Sequence, residues 1–444
     1  MIQQAALDFL EDAAATPSFE QTAKKSRRTG SFADNMKLPI HRWFRYSAGF
    51  SAEWAAEFIR THKRSTECLV LDPFAGSGTA LLAAESQRIR SVGIENHPFV
   101  YKVARAKLAW NSDPRQLLAN GIELLQSAKN RVTAHEFAAC SPDLLLKCYT
   151  SDALMKLQAL KDEYLSRTSH HCEPVEELLW LVITSILREC SGVGTAQWQY
   201  VLPKKKKARV ADPFVQFATR LTEFCADIES ARRNGYLNDA KILLSDCRQL
   251  AALEEYSDAV TLVVTSPPYP NNYDYADATR IEMTFWGDVT SWSDLQPVVR
   301  HRLIRSCSQH SAAERLSLET VLRDDTLAPI LKELEPVCAQ LEEIRETKGG
   351  KKTYHTMVAA YFADLAKVWA TLRTVCTKGA EVCFVIGDSA PYGVYVPVDV
   401  WLGKLALASG FTDVRFEKIR DRNIKWKNRK HTVPLKEGRL LVRG

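Results

Sequence analysis

The sequence predicts an α/β protein on a doubly wound sheet carrying helical insertions, and three observations predict it. A short apolar strand, Cys68 to Leu71, runs into the glycine loop Asp72-Pro-Phe-Ala-Gly-Ser-Gly-Thr79, after which Ala80 to Glu85 reads as a helix. A second strand, Ser91 to Ile94, ends in an acid, Glu95. Two more, Lys241 to Ser245 and Ala259 to Val264, end in Asp246 and in the turn Thr265-Ser-Pro-Pro-Tyr269. Strand, loop and helix in this order are the opening units of a doubly wound sheet.

The remaining elements follow in chain order. Residues 1–36, with Lys24, Lys25, Arg27 and Arg28, read as a polar arm or a loosely docked helix. The first half of the core spans 37–114. Residues 115–236 read as a helical insertion, with apolar residues at helical spacing in Pro174 to Cys190 and Phe214 to Ile228 and few strand signals. The core resumes over 237–289, gives way to a second helical insertion over 290–352, and closes over 353–444. That last stretch opens with an amphipathic helix, Thr353 to Cys376, whose stripe is Met357, Ala360, Tyr361, Leu365 and Trp369. Its strands are Glu381 to Ile386, Val414 to Ile419 and Arg439 to Val442.

Composition excludes several classes. With 444 residues, 46% hydrophobic and 25% charged, the chain can bury a large core in one big or two ordinary domains. The longest apolar run, Leu178 to Leu187, is interrupted by Thr184 and too short to cross a bilayer. The N-terminus, with Glu11 and Asp12, lacks a basic-then-apolar signal, so the expectation is a cytoplasmic protein with no membrane partner. Eleven cysteines without a Cys-x-x-Cys pair favour neither a disulfide framework nor a zinc ribbon. The adjacent His170-His171-Cys172 does not have the spacing of convergent ligands, so no metal is expected.

Charge is unevenly placed. The net charge is +6, but from Glu417 onward there are ten Lys and Arg against three acids. A second basic cluster, Lys204, Lys205, Lys206 and Lys207, follows Trp198 and Tyr200, and Trp426 lies inside the first. One such cluster is commonly just a solvated face, whereas two interleaved with aromatic residues point to a polyanion.

The glycine loop says more. It opens with Asp72 and lacks a Gly-Lys-Ser/Thr ending, so a triphosphate would meet a carboxylate and no phosphate-binding lysine. An acid before a bare backbone suits an ammonium-bearing ligand, Glu95 can take both hydroxyls of a ribose, and Asp246 can accept from an adenine amino group. Together these acidic strand ends describe S-adenosylmethionine. Each has a plainer rival: Asp72 as a helix cap, Glu95 as a common strand terminus, and Asp152 in place of Asp246.

Asp72-Pro-Phe-Ala-Gly-Ser-Gly-Thr79 resembles the cofactor motif of DNA amino-methyltransferases, and Thr265-Ser-Pro-Pro-Tyr269 resembles their catalytic motif in its cytosine-N4 form. Adenine-N6 relatives more often carry Asp or Asn where Ser266 stands. Pro39-Ile-His-Arg-Trp-Phe-Arg-Tyr46 is similar to the segment that closes over the methionine end of the cofactor. Gly387-Asp-Ser389 and Arg420-Asp-Arg-Asn423 extend the likeness to about half the chain. The resemblance implies a seven-stranded mixed sheet of the class I methyltransferase type and S-adenosylmethionine held by Asp72, Pro73, Phe74, Gly76, Gly78, Thr79, Glu95, Asp246, Trp43 and Tyr46. It implies catalysis by Ser266, Pro267, Pro268 and Tyr269 on a flipped base.

The chemistry is consistent with that. An exocyclic amine is a poor nucleophile until acceptors such as the Ser266 hydroxyl and Pro267 carbonyl draw it pyramidal, and consecutive prolines hold the turn extended. Tyr269 can stack on the base. Cytosine-C5 chemistry needs a nucleophilic cysteine, usually after a proline, and there is no Pro-Cys pair. Double-stranded DNA is the expected partner, bound by Trp198, Lys204 to Lys207, Arg420, Arg422, Lys425 and Lys427, with a cognate restriction or defence protein and a monomer or weak dimer as further expectations. An adenine-N6 enzyme, an RNA guanine-N2 enzyme and a non-catalytic binding protein remain open alternatives here.

Overall fold

A computed structural model of the chain describes residues 32–63, 67–133, 141–168, 173–196, 200–271, 273–313, 316–348, 352–422 and 434–444. The strands among these are β1 (Leu69–Asp72), β2 (Arg90–Glu95), β3 (Val193–Thr195), β4 (Val201–Lys206), β5 (Ala240–Leu244), β6 (Val260–Thr265), β7 (Cys376–Gly387), β8 (Asp413–Arg422) and β9 (Leu435–Arg443). The described residues divide into two compact units, the first drawn from Met1–Ser47, Lys102–Asn238 and Ala278–Trp292, the second from Ala48–Tyr101, Asp239–Asp277 and Ser293–Gly444.

The second unit holds the expected seven-stranded mixed sheet, in the order β5-β2-β1-β6-β7-β9-β8. β9 alone runs antiparallel to its neighbours; the other paired strands are parallel. Side chains alternate between two cores, as a strand buried on both faces requires. Val70, Leu262, Val264, Cys383 and Val385 pack with the helices Ala52–His62 and Thr79–Ser86. Leu71, Val263, Val382 and Phe384 pack on the opposite face with the helices Leu331–Thr347, Tyr354–Val375 and Val398–Ala408. The chain reverses direction across the sheet between β1 and β6, so the crevice at their carboxyl ends is the switch point where open α/β sheets bind ligands.

The helix Tyr354–Val375 is not the one-sided amphipath that its stripe suggests. His355 through Ala366 are buried all round, because Ile304, Val321, Leu327, Ile330, Leu334, Cys338 and Leu341 cover the side turned from the sheet. The segment read as a second insertion is thus part of the core.

The first unit is largely helical, with the long helices Pro114–Thr133, Ser151–Arg167, Pro174–Ile186 and Pro213–Arg233. Their starts are written locally: Asp212 accepts from Phe214 N–H (2.9 Å) and Val215 N–H (3.1 Å) ahead of Pro213, and Glu173 with Glu176 forms a capping box ahead of Pro174. It also contains an antiparallel ribbon of β3 and β4, so Lys204, Lys205 and Lys206 lie on a strand within a region read as helical. None of the described helices is long and apolar enough to cross a membrane.

Candidate active site at the carboxyl edge of the sheet

Because β1, β2, β5 and β6 are parallel, their terminal acids and turns fall on one edge. Asp72 ends β1 and is fully buried. Its Oδ1 accepts from the Phe74 N–H (3.0 Å) and from the Thr265 hydroxyl at the end of β6 (2.5 Å), while Oδ2 is buried with no hydrogen-bond partner among the described residues. Burial pushes the Asp72 carboxyl up to about 7, against the Thr265 and Phe74 hydrogen bonds, with the Glu95 charge adding to the rise. A buried carboxylate oxygen without a donor costs free energy until something donates to it.

Gly76 and Gly78 turn the loop with φ of 54° and 83°, a left-handed conformation that disfavours other residues. The Gly76 N–H donates to Glu95 Oε2 (2.8 Å) and the His97 N–H to Oε1 (2.7 Å). Burial likewise pushes Glu95 up to about 7, opposed by these backbone donors. Thr79 and Ser77 are buried beside it, and Ser77 Oγ also lacks a partner. An unmatched acid and hydroxyl around a bare backbone fit the ammonium and hydroxyl groups of S-adenosylmethionine. Asp246, one turn beyond β5, is held differently: Arg248 closes on it with Nε at 2.9 and 3.0 Å and Nη2 at 2.5 Å, and reaches Asp364 at 3.1 Å. Asp152 lies in the first unit, paired with Lys156 at 2.8 Å.

The turn after β6 is propped by the end of β7. The Ser266 hydroxyl donates to the Val385 carbonyl (3.0 Å), and the Ser389 hydroxyl donates to the Pro270 carbonyl (2.5 Å). Pro267 is buried and Pro268 and Tyr269 are half-buried. The Arg422 guanidinium lies over the Tyr269 ring, 5.0 Å from its centroid, and donates to the Asp388 carbonyl (2.8 Å). A side chain at Gly387 would strike that guanidinium, since a Cβ there would stand 2.5 Å from Arg422 Nη1. Burial also raises the Tyr269 phenol well above its usual range. A cavity of about 200 Å³, lined by Pro270, Asn271, Asp388, Ser389, Tyr392 and Arg422 among others, adjoins the turn.

The structure therefore brings Asp72, Glu95, Asp246 and the Ser266–Tyr269 turn together within the second unit. Trp43 and Tyr46 belong to the first. There the Trp43 indole N–H donates to Asp227 (2.9 Å) and its ring stacks on Phe224 at 4.2 Å. Asp227 also accepts from Arg42 (3.0 and 2.6 Å) and from the N–H of Ile40, which it holds at φ 64°. Of the basic residues, Lys204, Lys205 and Lys206 are exposed, whereas Lys207 turns inward and donates to the Arg188 carbonyl. Lys207 lines a cavity of about 580 Å³ with Arg42, Arg188 and Arg220. Arg420 pairs with Glu437 at 2.7 Å, and Arg422 is committed to Tyr269. Trp198, Lys425, Lys427, Trp426 and His170-His171-Cys172 lie outside the described residues.

Sequence reasoning missed the partners. Thr265 as the donor to Asp72, Arg300 on Asp274 (2.7 and 3.1 Å) and Arg422 on Tyr269 have no local signature. Arg248 does have one, since it stands two residues after Asp246, within reach of its carboxylate.

The DNA methylase family profile matches residues 15–106. The chain is similar to the type II methyltransferase M.BsoBI of Geobacillus stearothermophilus, 24% identical over 91% of this chain and 84% of that protein. It is similar at the same identity to the type II methyltransferase M.AvaI of Nostoc sp. (strain PCC 7120), over 87% of this chain and 82% of the relative. With the acidic switch-point crevice, the glycine loop and the Ser-Pro-Pro-Tyr turn, these matches make the chain similar to S-adenosylmethionine-dependent DNA methyltransferases of the N6/N4 type.

Proposed function

We propose that the protein methylates the exocyclic N4 amine of a cytosine flipped out of double-stranded DNA, as the modifying partner in a restriction or phage-defence system. One residue carries the cytosine assignment: Ser266 stands where adenine-N6 enzymes more often carry Asp or Asn. Its hydroxyl gives its proton to the Val385 carbonyl, which leaves its oxygen as an acceptor for an incoming amine. With the Pro267 carbonyl as a second acceptor, the turn draws the amine toward its pyramidal, nucleophilic form. Pro267 and Pro268 have no N–H of their own to compete. Tyr269, steadied by Arg422, stacks on the base, worth about 1–3 kcal/mol, which helps offset the few kcal/mol of flipping.

The cofactor supplies an activated methyl group on a sulfonium. Asp72 Oδ2 would take its ammonium, Glu95 its ribose hydroxyls, and Asp246, with lone pairs left beside Arg248, its adenine amino group. Pro73 and Phe74 would pack beside it, and Gly76, Gly78 and Thr79 would keep the loop backbone open to it. Transfer would be a direct displacement: the amine nitrogen bonds to the methyl carbon as the carbon–sulfur bond breaks, a neutral thioether leaves and the nitrogen's surplus proton passes to water, with alignment supplying most of the acceleration. Lys204, Lys205 and Lys206, exposed along β4, bind phosphates and make affinity salt-dependent without reading sequence. The type II naming of the relatives supports the restriction setting.

The test is to incubate the protein with plasmid DNA and labelled cofactor, digest to nucleosides and identify the product by mass spectrometry. N4-methylcytosine is expected. N6-methyladenine would move the protein to the adenine class, and DNA that gains no label would overturn the enzymatic reading.

A further inference from the structure

Residues 300–305 are bonded to each of the segments that follow three parallel strands, β2, β5 and β6. Arg300, 2% exposed, closes on Asp274 Oδ2 through Nε (3.1 Å) and Nη2 (2.7 Å). The Arg302 carbonyl accepts from Asn96 Nδ2 (2.6 Å), the residue after Glu95, and from Arg248 Nη2 (3.1 Å), the partner of Asp246. Arg305 anchors the far end on Asp364 of the helix Tyr354–Val375, through its backbone N–H (3.0 Å), Nε (3.0 Å) and Nη2 (2.6 Å). Ile304 is buried between these anchors.

Asp274 lies five residues beyond Tyr269. Its other oxygen, Oδ1, accepts from the Ala276 N–H (3.2 Å) and starts the short helix Tyr275–Ala278. Tyr275 in turn meets Tyr273 edge-on at 4.6 Å and is hydrogen-bonded to the Tyr269 backbone. A buried ion pair such as Arg300–Asp274 contributes little net stability over an apolar pair of the same volume, because both charges are desolvated. What it does supply is a fixed position.

We infer that residues 300–305 form a strap setting the catalytic turn against the ribose-side and adenine-side acids, with Arg300 as a positioning residue for methyl transfer. The inference rests on the reading of Ser266–Tyr269 as the catalytic turn. Arg300 touches no reacting atom. It fixes Asp274, Asp274 fixes the loop behind Tyr269, and a shift of about 1 Å in that loop costs transfer about 100-fold.

Arg300→Met and Arg300→Lys test this by single-turnover methylation of plasmid DNA at saturating cofactor, with cofactor affinity measured by calorimetry. Arg300→Met is expected to slow transfer about 100-fold while affinity stays within about threefold, and Arg300→Lys to recover part of the rate. Arg300→Met/Asp274→Asn is expected to be no slower than Arg300→Met, since both residues act through one contact. Equal losses of rate and affinity, or additive losses in the double variant, overturn the inference. Amide hydrogen exchange over residues 268–278 gives a readout independent of chemistry: acceleration in Arg300→Met with β1 and β2 unchanged supports the strap, and unchanged exchange overturns it. If the wild type methylates no DNA yet exchange responds, the catalytic reading falls and the strap stands.

Discussion

Two sets of acids serve the same edge of the sheet, and their partners differ. Among the described residues, Asp72 and Glu95 take hydrogen bonds only from backbone N–H groups and a threonine hydroxyl, and one oxygen of Asp72 takes none. Asp246, Asp274 and Asp364 are each closed by an arginine. A buried acid with no protein cation is costly by itself and becomes favourable when a cationic ligand arrives. In the proposed reading the unpaired set takes the ammonium and ribose of the cofactor, while the paired set holds the frame around them, with Asp246 keeping lone pairs for the adenine amino group.

Five experiments can break or sharpen that contrast. Ser266 belongs to neither set, so Ser266→Ala should lower turnover 100-fold or more, on the scale of a lost transition-state hydrogen bond, with cofactor affinity nearly unchanged; pre-steady-state methylation and calorimetry separate the two. Asp72→Asn should do the reverse, weakening cofactor binding by about 30-fold, as expected for a charge-assisted bond worth about 2 kcal/mol.

The third test is pH. Asp72 is raised to about 7, so below that pH it holds a proton and must release it to meet a cation. Cofactor affinity should therefore rise about tenfold between pH 6 and pH 8, with proton release visible in buffers of different ionisation enthalpy. Asp72→Asn should flatten the profile. A wild-type profile that is already flat would remove the distinction between the two sets.

Thr265→Val should cost about fivefold in affinity, about 1 kcal/mol for one hydroxyl donor to Asp72. Asp246→Asn, with Arg248 still held by Asp364, should weaken cofactor binding by only two- to threefold, the scale of a solvent-screened pair, while lowering Tm by a few degrees. A loss as large as that of Asp72→Asn would show that Asp246 belongs with the unpaired set.

Much of this edge was legible in the sequence because it is written locally. A short apolar run, an acid, two glycines and a helix state a strand end and a loop within a dozen residues, and seven such runs place the sheet. The Pro-Pro pair likewise announces its own rigidity. The partners were not legible, since Arg300 meets Asp274 and Arg305 meets Asp364 across 26 and 59 residues with no periodicity to link them. The same holds for Trp43, placed over the methionine end of the cofactor by the resemblance of residues 39–46: its indole N–H donates to Asp227, 184 residues away, a partner that nothing local announces. The stripe on Tyr354–Val375 was read correctly as core, but periodicity could not tell that other residues cover the opposite side.

The outermost strand β8 bears on how copies of the protein avoid one another. It stands at the edge of the described sheet, and along it Arg415, Glu417 and Lys418 project charges that are 68%, 40% and 52% exposed. A strand arriving from a second copy would have to bury or repel those charges, which blunts the edge against strand addition. The residues that leave this flank hydrophilic therefore act as gatekeepers against aggregation, a role independent of catalysis.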